Sequence, residues 1–207
     1  MAPAVRTGGL ARRPNIKWQD FDVTRRARED LKLQRARCLW LTGLPASGKS
    51  TLANLLEKRL MAAGRHTCVL DGDNLRHGLS RDLGFSEADR TENIRRVAEV
   101  GRLMVDAGLI VIVALISPFR RDRDSARGLF EPADFMEIFV DAPLHVCAAR
   151  DPKGLYAKAE KGEIRNLTGV GSRYEPPERP DLRVDTESLS PTQCIDRIVR
   201  SLAPEAD

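Results

Sequence analysis

One stretch constrains this chain more than any other: Gly43-Leu44-Pro45-Ala46-Ser47-Gly48-Lys49-Ser50, a glycine, four residues, then Gly-Lys-Ser. That spacing is the signature of a phosphate-binding loop. Its flanks agree, because Cys38-Leu39-Trp40-Leu41-Thr42 reads as a short apolar strand and Thr51-Leu52-Ala53-Asn54-Leu55-Leu56-Glu57 opens a helix. The glycines let successive backbone N–H groups turn inward onto phosphate oxygens, at the positive end of the following helix. Lys49 adds a mobile charge for the β- and γ-phosphates, and the Ser50 hydroxyl suits Mg²⁺. Gly43, Leu44, Pro45, Ala46, Ser47, Gly48, Lys49, Ser50 and Thr51 are therefore the expected ATP-binding residues.

Downstream periodicity extends this strand–loop–helix start into an α/β chain. Leu52, Leu55, Leu56 and Leu60 form a helical stripe that Gly64 ends, and His66-Thr67-Cys68-Val69-Leu70 reads as a second, buried strand. Ser86-Glu87-Ala88-Asp89 is a capping-box start for a long helix with Ile94, Val97, Ala98, Gly101 and Val105 inward. Residues 109–116 are apolar throughout, as a strand covered on both faces should be, and 135–140 form a fourth strand. Leu182-Arg183-Val184 is a short last strand, and 191–202 a terminal helix with Cys194, Ile195, Ile198, Val199 and Leu202 inward. Strand, helix, strand in this order predicts a mostly parallel sheet with helices on both faces. Residues 151–180, rich in Gly, Lys, Arg, Glu and Pro, lack a core pattern. Beside a phosphate loop, such a stretch reads as a closing lid.

Charge and composition narrow the function classes. The net charge of +4 is concentrated early, with ten Lys/Arg and four Asp/Glu in residues 1–37, which leaves the remainder slightly acidic. No groove-reading motif accompanies that basic arm, so nucleic-acid binding is not expected. Residues 1–15 read as a loose basic tail, with Trp18 and Phe21 as its anchor, and 16–207 as one domain. The longest apolar run, 109–116, is far short of the about 20 residues of a membrane span, and residues 1–14 have no apolar signal core. A cytoplasmic, membrane-free protein is expected. Cys38, Cys68, Cys147 and Cys194 have no paired spacing and read as free thiols; His66, His77 and His145 lack ligand spacing.

Ligands gather at the carboxyl ends of parallel strands, so the loops 43–50, 71–76 and 117–121 should converge. Asp71 and Asp73 flank Gly72 after a strand. Each is either a Mg²⁺ or hydroxyl partner, or part of an Asx turn. Arg76 and Arg90, with Arg120 or Arg121, are anion-binding candidates. Arg90 and Asn93 share a helix face. Phe85 is either a stacking platform for a base or a core plug. Ser117 has no neighbouring base in sequence, which favours positioning over a covalent nucleophile.

Taken together, 43–50, Asp71-Gly72-Asp73-Asn74-Leu75-Arg76, Asp82-Leu83-Gly84-Phe85-Ser86, 90–96, Ile116-Ser117-Pro118-Phe119-Arg120 and Asp151-Pro152-Lys153-Gly154-Leu155-Tyr156 resemble the adenylylsulfate (APS) kinase family. The resemblance implies a three-layer P-loop kinase fold with about five strands and a lid at about 151–180. It also implies transfer of the ATP γ-phosphate to the 3′-hydroxyl of APS, Mg²⁺ as cofactor, a homodimer, and ATP sulfurylase as a possible partner. Lys49, Asp71, Asp73 and Ser117 fall on its catalytic positions, and Ser50 and Asp71 on its metal corner. Asp73, Arg76, Phe85, Arg90, Asn93, Ile116, Ser117, Lys153 and Leu167 fall on its acceptor-binding positions. Two other readings share the loop: a different small-molecule kinase, such as one for gluconate or nucleotides, and a nucleotide-binding regulatory module. Leu167 departs from the family pattern, which carries Phe there as the second face of an aromatic sandwich. Base stacking on an aromatic is worth about 1–3 kcal/mol, so Leu167→Phe is expected to lower the KM for APS in steady-state assays. An unchanged or raised KM refutes this.

Overall fold

In the computed structural model, residue 17 and residues 19–202 are described; the expected tail at 1–15, the anchor Trp18 and residues 203–207 lie outside them. The order along the chain is α1 (Arg25–Lys32), β1 (Arg37–Thr42), α2 (Lys49–Ala62), β2 (Thr67–Asp71), α3 (Gly72–Arg76), α4 (Glu87–Asp106) and β3 (Ile110–Ala114). There follow α5 (Arg120–Arg127), a 3-10 turn (Pro132–Asp134), β4 (Phe135–Asp141), α6 (Leu144–Arg150), α7 (Leu155–Glu160), β5 (Leu182–Asp185) and α8 (Pro191–Leu202). The five strands form one parallel sheet in the order β2-β3-β1-β4-β5.

Alternation along the strands builds the three layers. Leu39 and Leu41 of β1, with Ile110 and Ile112 of β3, pack against Leu52, Leu56 and Leu60 of α2 and Cys194, Ile195 and Ile198 of α8. Their neighbours Cys38, Trp40, Val111 and Val113 pack on the other face, against Ile94, Val97, Ala98 and Val105 of α4 and Ala126 of α5. Successive side chains of a strand point to opposite faces, so a strand clothed on both sides must be apolar throughout, as β1 and β3 are. Each fully buried aliphatic side chain contributes about 1.5–3 kcal/mol.

Three expectations need correcting. The second strand is not buried: β2 sits at the sheet edge, where Thr67, Cys68 and Val69 stay half-exposed and only Leu70 is covered. Phe21 is 77% exposed and packs into none of the core clusters among the described residues. The chain ahead of β1 is held by polar groups instead: Arg25 pairs with buried Asp134, Arg28 donates to Asp106 O at 3.0 Å, and Glu29 accepts from Ala36 N at 2.8 Å. Finally, 151–180 contains a small core. Tyr156 and Leu167 pack with Ala142 and Cys147, under Leu44 and Ala46 of the phosphate loop. Its partners come from three distant segments, so no local periodicity announces it.

Gln34 closes the amino-terminal end of the sheet. Its Nε2 donates to Gly108 O at 2.8 Å and His66 O at 3.0 Å, while its Oε1 accepts from His66 N at 2.8 Å. These three bonds tie together the approaches to β2 and β3. Gln34→Ala strands buried backbone groups and is expected to cost about 1–3 kcal/mol in denaturant unfolding, with nucleotide binding preserved.

Candidate active site

The chain runs from β1 out to the edge strand β2, returns to β3 beside β1, and then crosses to β4. That reversal makes a crevice at the carboxyl ends of β1 and β3. A cleft of about 1010 Å³ opens there, at the top of the roughly 300–1,000 Å³ range of single-ligand pockets.

The phosphate loop forms one end. A Cβ on Gly43 would fall 2.4 Å from Val140 O, so only hydrogen fits where the loop leaves the sheet. Gly48 takes φ 104° just ahead of α2, whose amino end has no side-chain cap. Its first-turn N–H groups therefore face the cleft as an anion site. Lys49 Nζ donates to Gly43 O at 2.9 Å and Leu44 O at 2.7 Å. Burial pushes its pKa down to about 8, opposed by the nearby Cys147 and Asp71. Pro45, Ala46, Gly48, Lys49, Ser50 and Thr51 line the cleft. Gly43 and Ser47 shape the loop from beneath, and Leu44 turns its side chain into the small core around Tyr156 and Leu167.

The Asx-turn reading of Asp71 is realised by one carboxylate oxygen, and the other turns to the phosphate loop. Oδ1 accepts from Asp73 N at 3.0 Å and caps α3, while Oδ2 accepts from Ser50 Oγ at 2.6 Å. The donor set suits Mg²⁺, which takes one or two protein oxygens and completes its shell with phosphates and water. No cluster of three or more His, Cys, Asp or Glu fit to hold a metal occurs among the described residues. Asp73 projects into the cleft and ion-pairs with Lys153 across it.

At the opposite end, the Arg76 guanidinium lies 4.4 Å from the Phe85 ring centroid and donates to Gly84 O at 2.8 Å. Phe85 is 64% exposed, so it is not a core plug. Arg90 Nε donates to Phe85 O at 3.0 Å, and its guanidinium reaches the Thr168 hydroxyl and the Asn166 carbonyl. Asn93 is 5% exposed, and its Oδ1 has no hydrogen-bond partner among the described residues. Ile116, Ser117, Lys153 and Leu167 complete this wall. Leu167 is 7% exposed, with most of its surface in the small core. Ser117 adopts φ 40°, and its Oγ accepts from Trp40 Nε1 at 3.1 Å. Arg120 and Arg121 turn away, to Glu175, Pro176 and Glu178 and to Glu87 respectively, so they are not anion ligands.

Sequence reasoning missed Arg150 and Thr186, which line the cleft beside Gly48 and Thr51. Arg150 Nη1 donates to Thr186 Oγ1 at 3.1 Å, and that hydroxyl donates to Ser47 O at 3.0 Å. Thr186 follows β5, so extending the strand-end rule to the last strand would have found it.

Residues 35–185 match the sequence model of adenylylsulphate kinase. The chain belongs to the adenylylsulfate kinase family. It is 54% identical over 188 residues to the adenylyl-sulfate kinase of Marinobacter nauticus, covering 91% of this chain and 94% of that one. It is 60% identical over 189 residues to the bifunctional enzyme NodQ of Rhizobium sp. (strain N33), covering 91% of this chain but only 29% of that longer protein. Among solved structures, the Mycobacterium tuberculosis APS kinase CysC in complex with AMPPNP and APS superposes with a TM-score of 0.78 at 48% identity, over 81% of this chain and 98% of that one.

The depressed Lys49 pKa gives a pH signature. Its ammonium persists below about 8 and is lost above. A phosphate chain favours the charged form, so binding takes up a proton above that pH. ATP affinity should therefore fall roughly tenfold between pH 7.5 and pH 9, read by calorimetry or an ATP KM profile. A flat profile refutes this assignment.

Proposed function

We propose that this chain transfers the γ-phosphate of ATP to the ribose 3′-hydroxyl of adenosine 5′-phosphosulfate, giving 3′-phosphoadenylyl sulfate and ADP, in sulfate assimilation. One observation carries the reading: a single cleft has a phosphate loop with its Lys49 and Ser50–Asp71 corner at one end, and the Arg76, Phe85, Arg90, Asn93 wall at the other. Donor and acceptor sites so arranged suit direct in-line transfer, in which positioning and charge stabilisation do the catalytic work. Lys49 and the amides of the loop and of α2 would stabilise the phosphate charge. Ser50 and Asp71 would hold Mg²⁺, which when bound neutralises phosphate charge.

Asp73 is the group we assign to orient the acceptor hydroxyl and take its proton, since Asp71 is committed to Ser50 and the α3 cap. Arg76 and Arg90 suit the sulfate and phosphate oxygens, Phe85 the adenine face, and Asn93 Oδ1 a donor on the nucleoside. Ile116 and Ser117 form the floor of this subsite. Ser117 serves in positioning and not as a nucleophile, because its buried hydroxyl is held by the Trp40 indole. Lys153 and the lid at about 151–180, within a domain spanning 16–207, exclude water during transfer.

We further propose a homodimer; Leu31 of α1 and Leu33 at its C-cap are exposed apolar surface that such a contact would cover. ATP sulfurylase is the proposed supplier of APS. The four free thiols suit a cytoplasmic setting, and no helix among the described residues is long and apolar enough to cross a membrane.

The deciding assay supplies ATP and Mg²⁺ with APS, gluconate or nucleoside monophosphates, and follows ADP and 3′-phosphorylated product. Turnover is expected with APS alone. Turnover with another acceptor instead identifies a different kinase, and nucleotide binding without turnover identifies a regulatory module. Asp73→Asn should lower kcat at least about a hundredfold, the usual scale for loss of an acid–base group.

A further inference from the structure

The acceptor wall rests on a buried guanidinium that touches neither substrate position. Arg123, on α5, is 2% exposed. It donates from Nε to Glu137 Oε1 at 2.6 Å, from Nη1 to Ser117 O at 2.6 Å and from Nη2 to Glu175 O at 2.8 Å. One rigid fork thus joins β4, the floor residue Ser117 and the segment returning from 151–180. The surroundings reinforce it: Glu175 N donates to Pro118 O at 2.8 Å, and Thr42 Oγ1 bonds Ile116 O at 2.8 Å and the Tyr174 hydroxyl at 3.1 Å.

The floor needs such a clamp. Ser117 sits at φ 40°, a left-handed conformation that costs a non-glycine residue free energy and persists only where neighbours over-determine it. Its hydroxyl is fixed by Trp40 and its carbonyl by Arg123. The hydrogen bonds of this fork go to Glu137, Ser117 and Glu175, and none among the described residues goes to the phosphate loop.

We propose that Arg123 is a positioning residue for the acceptor half of the cleft: by clamping the strained Ile116-Ser117-Pro118 turn to Glu175, it makes the floor and the return of the 151–180 segment move as one body. This rests on the reading of the cleft as a two-substrate kinase site. It predicts a defect confined to APS, because ATP binds at the other end.

The test is steady-state kinetics on Arg123→Lys and on the paired Arg123→Gln, Glu137→Gln variant. The pair removes the buried charges together, so neither is stranded. The KM for APS should rise about tenfold or more, as misplacement of a substrate-contacting wall does, while the KM for ATP stays within about twofold. Ser117→Gly should raise the APS KM less in the paired variant than in the unaltered chain, since glycine holds the turn without a clamp. Equal rises in both KM values, or an unchanged APS KM in a cooperatively melting variant, overturn the proposal. If the unaltered chain does not turn over APS, the kinase reading fails instead. In that case Trp40 emission, read in a Trp18→Phe background, still decides: the paired variant must shift it by loosening Ser117, and an unmoved spectrum overturns the clamp.

Discussion

The cleft depends on a central strand buried on both faces. β1 carries Leu39 and Leu41 into one helix layer and Cys38 and Trp40 into the other, and pairs on its two edges with β3 and β4. A strand held from four sides cannot shift, so the loop leaving its carboxyl end begins from a fixed point. The close approach of Gly43 to Val140 O transmits that rigidity directly into the phosphate loop. The strand serves the other end of the cleft too, because the Trp40 indole and the Thr42 hydroxyl both reach the turn after β3.

Within the cleft, a few charged groups serve several demands each. Asp71 divides its two oxygens between a helix cap and Ser50. Arg76 satisfies the carbonyls before Phe85 while stacking on its ring, and Arg90 continues the chain of contacts to Thr168 and Asn166. Such sharing keeps buried and half-buried charges partnered, which is the condition for tolerating them away from water. It also explains why Arg120 and Arg121, neighbours in sequence of the floor, contribute nothing to the cleft: their partners are the acidic groups of 175–178 and Glu87.

Much of this was legible in the sequence because its signals are local. Apolar runs marked β1 and β3, Ser86 and Asp89 announced the start of α4, and the loop motif fixed one end of the cleft. What escaped was non-local. The half-exposure of β2 follows from its place at the edge, which strand order alone determines. The core around Tyr156 and Leu167 gathers residues from the phosphate loop, α6 and the 151–180 segment, so no window of sequence contains its pattern. Arg123 lies in the charged run Arg120-Arg121-Asp122-Arg123-Asp124, which carries no local sign of burial, and only the meeting of α5, β4 and Glu175 buries it.

The pairing of β1 also bears on how the chain is made. Cys38 lies opposite Val111 on one side and Phe135 on the other. Parallel partners this distant in sequence delay folding, since long loops must close before their contacts form. During synthesis the central strand stays without its second partner until β4 has emerged. The Trp40 and Phe135 rings, 5.7 Å apart in the folded chain, meet only then. The strand that anchors both ends of the cleft is thus secured late, and a nascent chain halted before residue 135 leaves one of its edges unpaired.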